Sequence, residues 1–357
     1  GARTVRRCSL APSCDRRGGR MSLNSKTSGI AVSVVIPTHG RTSDLRELLG
    51  SLERQGRRID FEVLVVANLP EPGLKKIVES YGPRFRFLET GRLGVNIARN
   101  KGLERARGEI VLFLDDDCYL PDKDFIERIH SLHTIHPQAT AIGGPYLLRD
   151  GANTCETAYH LMLDRAFESS KRRYDETAHL HGGNWSIKIA AFDAKPRFED
   201  SIVFGGSDIE MLARLRQQGH ALLALDSIAV VHRLKLGLTG LLRRAYARGL
   251  EAGRAQARED HVRHWNSTLT TRECAARQGI AWNRRLEFYV SLFERVFYVA
   301  AAKGKILKSR PLPSFSIGKL IAIFLPRTSR AELVRGIAVA CENAWTIAKR
   351  KTPSELR

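Results

Sequence analysis

The chain has no stretch of about 18 apolar residues, the length that a membrane-crossing helix needs. Its six cysteines, Cys8, Cys14, Cys118, Cys155, Cys274 and Cys341, form no CxxC pair. That scatter argues against a structural zinc site and for a reducing compartment. The first 21 residues contain two Arg pairs but lack an apolar segment, so neither a secretory nor a twin-arginine leader is read there. Met21 is a candidate natural start, and residues 1–30 are expected to be disordered. There is no internal repeat.

Negative charge is also scarce. Against 58 Lys and Arg stand 38 Asp and Glu, a formal net charge of +20. The imbalance lies at the ends: residues 1–30 carry seven basic and one acidic residue, and residues 233–357 carry 25 and nine. The middle, 31–232, is close to neutral, with 26 basic and 28 acidic residues. A basic periphery suits an anionic partner such as lipid headgroups, nucleic acid or an acidic peptide. It says nothing about chemistry at the centre. With 357 residues the chain can bury one large core or two moderate ones.

From residue 31 onward, β-branched runs alternate with helical patterns. AVSVVIP (31–37), FEVLVVA (61–67), RFRFLE (84–89) and EIVLFL (109–114) read as strands. Between them, 42–55 places Leu45, Leu48, Leu49 and Leu52 on one helical face, and 73–82 does the same with Leu74, Ile77, Val78 and Tyr81. Residues 96–108 and 124–137 are further helices. This spacing predicts βαβ units and a mainly parallel sheet covered on both faces. After Gly144 the pattern loosens: 146–151 is expected to be an antiparallel strand, 158–180 a helix running into a polar loop, and 182–188 and 221–232 strands flanking a helix at 207–219. Beyond His232 the chain turns helical and arginine-rich, with a boundary expected near 233–240.

Open parallel sheets bind ligands at the carboxyl ends of their strands. There lie PTHGR (37–41), ANLPEP (67–72) and Asp115-Asp116-Asp117. The strand period of two would send Asp115 and Asp117 to one side and Asp116 to the other. Paired carboxylates suit a hard divalent cation, Mg²⁺ or Mn²⁺, that shares its shell with a diphosphate. The alternative is a solvated acidic loop that caps the helix starting near Asp124.

Five segments, VSVVIPTHGRTSDLRELLGSLERQ, FEVLVVA, GVNIARNKGLERARGEIVLFLDDDCYLPD, HGGNWSIK and FGGSDIEMLARLRQQGHAL, resemble in order and spacing the family 2 glycosyltransferases of the GT-A fold. The resemblance covers roughly residues 31–235. It implies a Rossmann-like mixed, mainly parallel sheet with flanking helices (31–235), preceded by the basic extension (1–30) and followed by a basic helical region (236–357). It also implies an inverting, metal-dependent transfer of sugar from a nucleotide-diphosphate sugar, with a UDP-sugar favoured, to an acceptor hydroxyl or other nucleophile. Pro37, Thr38, Arg41, Asn68, Arg99, Asn100, Asp115 and Asp116 are then expected at the donor nucleotide. Asp115, Asp117 and His232 are expected at the metal, Gly183, Asn184 and Trp185 at the acceptor or sugar, and Asp208 as general base.

Two positions depart from the family pattern. Ala67 and Asn68 stand where an aspartate usually contacts the base, and Ser207 stands where a Glu is common. Several candidates also have structural readings: Ser207 to Glu210 is a capping box, His232 can be a structural histidine, Trp185 ordinary core, and Cys118 a small buried filler. The Lys-Arg-Arg run at 171–173 is either solvated surface or a strap over the donor phosphates. The segments 238–258, 286–308 and 317–326 have the basic and apolar mix of membrane-surface helices, and equally of helices packed on a catalytic domain. The expected location is cytoplasmic, either free or peripheral at the inner face of a membrane, with the acceptor undefined and nucleic acid not expected. The rival function is a non-catalytic polyanion-binding or scaffolding protein on an inherited GT-A fold.

Overall fold

The computed structural model describes residues 29–171, 180–202, 207–257 and 270–307. The expectations for residues 1–28, for the Lys-Arg-Arg side chains at 171–173 and for 317–326 lie outside them. The chain runs β1 (Val32–Thr38), α1 (Thr42–Glu53), β2 (Phe61–Asn68), α2 (Leu74–Glu79), β3 (Phe85–Thr90), α3 (Val95–Arg105), β4 (Ile110–Leu114), β5 (Cys118–Tyr119), α4 (Phe125–Ile135), β6 (Ala139–Gly143) and β7 (Tyr146–Leu148). It continues through α5 (Thr154–Lys171), β8 (Asn184–Lys188), α6 (Ser207–Gln217), β9 (Ala221–Ala224), β10 (Val230–His232), α7 (Leu238–Ala257), α8 (Thr271–Arg277) and α9 (Arg284–Leu307).

Seven strands form one sheet in the order β3-β2-β1-β4-β8-β6-β9. The first four are mutually parallel, β8 runs antiparallel between β4 and β6, and β9 is parallel to β6. The alternation of side chains divides the core in two. Val34, Ile36, Val63, Val65 and Leu112 face one layer, in which the four leucines of α1 are fully buried. Val35, Leu64, Val66, Val111 and Phe113 face the other, where α3 and α6 pack. Each fully buried leucine contributes about 1.5–3 kcal/mol relative to exposure, so α1 is held by its apolar stripe; no side chain caps its start. On the opposite face α3 lies against β1 so closely that a Cβ on Gly102 would stand 2.3 Å from Val35 Cγ1.

The strands differ from the sequence expectations in three ways. The stretch 221–232 is not one strand: β9 ends at Ala224, a single 3-10 turn (Asp226–Ile228) intervenes, and β10 joins a second sheet of order β5-β10-β7. Within that sheet β7 is parallel to β10, not antiparallel. Strands β5 and β6 were not expected: β5 is two residues long, and the five-residue β6 begins with Ala and ends with Gly. At the expected boundary near 233–240 the core is continuous: Leu234, Leu236, Leu241, Ala245, Val290 and Phe293 belong to the same buried cluster as β1. Lys235 Nζ also reaches Asp44 Oδ1 at 3.2 Å. Among the described residues no helix is long and apolar enough to cross a membrane.

Candidate active site

Because β2, β1 and β4 are adjacent and parallel, their carboxyl ends bring Asn68, Thr38 and the aspartate triplet to one edge. A cleft of about 440 Å³ opens there. Of the residues expected to act, Pro37, Thr38, Arg41, Asn68, Arg99, Asp115, Asp116, Asp117, Asp208 and His232 all line it. The triplet does not alternate as a strand would. Strand β4 stops at Leu114 and the chain turns, with the Cys118 N–H donating to Asp115 O at 3.1 Å, so all three carboxylates reach the cleft.

Each carboxylate meets a different partner. Arg99, itself buried, donates from Nη2 to Asp115 Oδ1 at 3.0 Å and to the Gly182 carbonyl at 2.9 Å. Thr38 Oγ1 donates to Asp116 Oδ2 at 2.7 Å, and Arg41 Nη1 lies 3.1 Å from Asp116 Oδ1. The same Arg41 nitrogen also donates to Asp117. Burial pushes the Asp116 carboxyl up to about 7, with Arg41 opposing the rise. Burial acts on Asp117 too, but His232 and Arg41 outweigh it and hold that carboxyl well below the usual range.

His232 is fixed by the small sheet, where it pairs with Cys118 on one side and Leu148 on the other. Its ring stacks on Tyr146 at a centroid distance of 4.3 Å, and His181 stacks on the other face of Tyr146, also at 4.3 Å. The Tyr146 hydroxyl accepts from the Gly183 N–H at 2.9 Å.

A divalent cation would find part of a shell here. Among the described residues the buried Asp117 Oδ1 meets no hydrogen-bond donor within bonding geometry, and His232 Nε2 lies 3.4 Å away. This edge fits a hard cation that draws its other ligands from water and phosphate. The expected set of Asp115, Asp117 and His232 does not converge, because Arg99 holds the Asp115 carboxylate. Among the described residues no three His, Cys, Asp or Glu side chains form a cluster able to enclose a metal.

Four expected contacts lie off the cleft or behind it. Asn100 points away from it: its Nδ2 donates to Phe198 O and Asp200 Oδ1, and its Oδ1 accepts from the Phe198 N–H. Trp185 is fully buried against Phe113 and Phe198, since β8 turns it into the layer beneath the sheet. Asn184, equally buried, donates to Ile228 O at 2.7 Å and Pro145 O at 3.2 Å, tying β8 to the turn before β10. Gly183 backs the site: a Cβ there would fall 2.5 Å from Asp115 Cγ.

Asp208 opens α6 and is buried against Gly182, where an added Cβ would stand 3.1 Å from Asp208 Oδ2. Glu210, the other half of the expected capping box, pairs with Arg214 Nε at 2.9 Å. The Ser207 side chain lies outside the described residues.

Residues 33–194 match the family described as "Glycosyl transferase family 2". The likeness to that family is carried by the strand and helix core, from the first strand to just past β8. Among curated proteins it is 37% identical over 110 residues to the poly(ribitol-phosphate) beta-N-acetylglucosaminyltransferase TarS of Staphylococcus aureus, covering 28% of this chain and 19% of that protein. It is 32% identical over 210 residues to the glycosyltransferase AglE of Haloferax volcanii, covering 56% of this chain and 66% of that protein. The chain thus covers less than two thirds of the length of these curated relatives. Among solved structures, the mannosyltransferase PcManGT from Pyrobaculum calidifontis, in complex with GDP-Man and Mn²⁺, matches with a TM-score of 0.51 and 19% identity, over 90% of this chain and 88% of that one. The fold is the GT-A arrangement of this family, a mainly parallel sheet flanked by helices.

Beyond the residues that the family motifs point to, Tyr146, Tyr159, His181, Arg244, Ala247 and Arg248 also line the cleft. Three of these come from α7, on the far side of the expected boundary. Their only sequence signal was a pair of arginines four apart in a basic helix.

Proposed function

We propose that this chain is an inverting glycosyltransferase that moves a sugar from a nucleotide-diphosphate sugar, with a UDP-sugar favoured, to an acceptor hydroxyl. The observation that carries the reading is the shared position of Asp208 and Asp115. Arg99 grips Asp115 and the Gly182 carbonyl together, and Asp208 packs on the same Gly182. A carboxylate able to act as base therefore faces the strand ends across one cleft.

In this mechanism Pro37, Thr38, Arg41 and Asn68 cradle the nucleotide, and Asn68 offers an amide to the base edge in place of a carboxylate. Asp117 and His232 would hold a divalent cation, which when bound neutralises charge on the diphosphate. Asp208 accepts the proton of the acceptor hydroxyl as that oxygen bonds to the anomeric carbon. The bond from that carbon to the diphosphate oxygen breaks at the same time, and its electron pair leaves with the nucleoside diphosphate. Attack from the face opposite the leaving group inverts the anomeric centre. No protein nucleophile is needed.

The test is nucleoside diphosphate release from a panel of sugar nucleotides with Mn²⁺, Mg²⁺ or EDTA, comparing the wild type with Asp208→Asn. Metal-dependent release that falls about 10³-fold in the variant supports the reading, being within the range for loss of a general base. Equal release by both proteins would sink it.

A further inference from the structure

The cleft wall facing the strand ends is built by α7, and its two cationic side chains are Arg244 and Arg248, one turn apart. Both lie over the buried ring of Tyr159, with guanidinium carbons 5.4 and 5.6 Å from its centroid. Arg248 Nε donates to Tyr159 Oη at 2.7 Å. The phenol thus works as a platform that sets two planar forks side by side.

Like charges four residues apart on a helix repel. The other arginines of the cleft are neutralised: Arg41 by Asp116 and Asp117, Arg99 by Asp115. Arg244 and Arg248 have no carboxylate ion-pair partner among the described residues. Burial works against the charge of Arg248, and Tyr159 and Asp208 help to sustain it. Arg244 in turn acts at longer range on Asp117. The pair therefore shares the cleft with the strand-end carboxylates and Asp208, half-buried, and among the described residues no carboxylate pairs with either guanidinium.

We propose that Arg244 and Arg248, held side by side over Tyr159, form a phosphate-binding subsite on the helical wall of the cleft. Paired guanidinium forks match the oxygens of a phosphate, and a dianion between them removes their mutual repulsion. The inference rests on the sugar-nucleotide reading and deepens it. The phosphate has two sources in that reaction: the diphosphate of the donor, or a phosphate carried by the acceptor beside its reacting hydroxyl.

The experiment measures UDP and GDP binding by calorimetry with Mn²⁺, for wild type, Arg244→Gln and Arg248→Gln. Uridine and guanosine serve as phosphate-free controls. Inorganic phosphate is then titrated onto protein saturated with the nucleoside diphosphate. If the donor is the source, the diphosphate binds about 10- to 100-fold more weakly in the variants while the nucleoside is unaffected. If the acceptor is the source, diphosphate affinity holds, and inorganic phosphate binds the saturated wild type but not the variants. Arg244→Lys and Arg248→Lys, which keep the charge, should fall between, and melting temperatures read in parallel separate ligand loss from misfolding. Folded variants that bind both ligands within twofold of wild type overturn the subsite and leave the sugar-nucleotide reading intact. A wild type that binds neither UDP nor GDP overturns that reading, and the subsite with it.

Discussion

Arg99 and Asp115 form a 3.0 Å ion pair in which the arginine side chain is only 4% exposed and the aspartate 31%. The cation is the buried partner. Removing it would strand the Gly182 carbonyl and leave the carboxylate uncompensated. Arg99→Gln is expected to lower stability by about 3 kcal/mol, in the range for breaking a buried pair. It should weaken nucleotide binding as well. Urea unfolding together with nucleotide titration checks both; a variant that is as stable as wild type would show that the pair does not brace the site.

Gly183 backs the Asp115 carboxylate so tightly that no side chain fits. Gly183→Ala is expected to push Asp115 aside and cut turnover at least tenfold, with an overpacking cost of about 1–3 kcal/mol. Steady-state kinetics beside thermal unfolding separate the two effects. Unchanged turnover would mean that Asp115 has room to yield.

Glu62 supports the sheet far from the cleft. Its buried carboxylate accepts from Ser33 Oγ at 2.8 Å, from the Arg107 backbone N–H at 2.9 Å, and from the side chains of Arg107 and Arg86 at 2.8 Å each. Burial alone would raise this carboxyl, but those hydrogen bonds outweigh it and lower it. Glu62→Ala should cost about 2 kcal/mol, the loss of charge-assisted bonds at a buried acceptor, with nucleotide affinity unchanged. Chemical denaturation and calorimetry give the two readings.

His133 provides a pH dependence away from the cleft. Burial, with Lys188 nearby, pulls its imidazole down from 6.5 to about 4, and its Nε2 lies 2.9 Å from Ser186 Oγ. The neutral ring is the form that the fold prefers. Its contribution is complete above pH 6.5 and is lost as pH falls toward 4, where the unfolded chain already holds the proton. At about 1.4 kcal/mol per unit, the loss is on the order of 2–3 kcal/mol. His133→Gln should flatten the stability profile between pH 7 and 4.5, as read by urea midpoints at each pH. Parallel profiles for the two proteins would refute the assignment.

Much of this architecture could be read in the sequence because strand and helix periods are clean where both sheet faces are covered. Leu45, Leu48, Leu49 and Leu52 announced α1, and IVLFL announced β4. The tip of β4 was misread because the period of two was carried past Leu114, where the chain had already turned. Asn100 follows Arg99, and Asn184 and Trp185 come two and three residues after Gly182; Arg99 and Gly182 both line the cleft. Sequence neighbours on a helix or strand point in different directions, so a motif names a neighbourhood and not a set of contacts. Arg244 and Arg248 were hidden for the opposite reason. They approach Tyr159 from almost 90 positions away in the chain, and only tertiary packing brings them there.

The short strand β10 fixes the place of His232 through main-chain pairing on both edges, and so makes that place independent of the side chain that occupies it. Position 232 therefore behaves as a socket. Asn or Gln there would keep a donor atom at one fixed backbone point while giving up the ring that stacks on Tyr146 and the ring nitrogen that faces Asp117. Changing the length of the link at 225–229 would do the reverse. A register slip of one residue would rotate every side chain of β10 to the other face and withdraw the socket from Asp117 altogether.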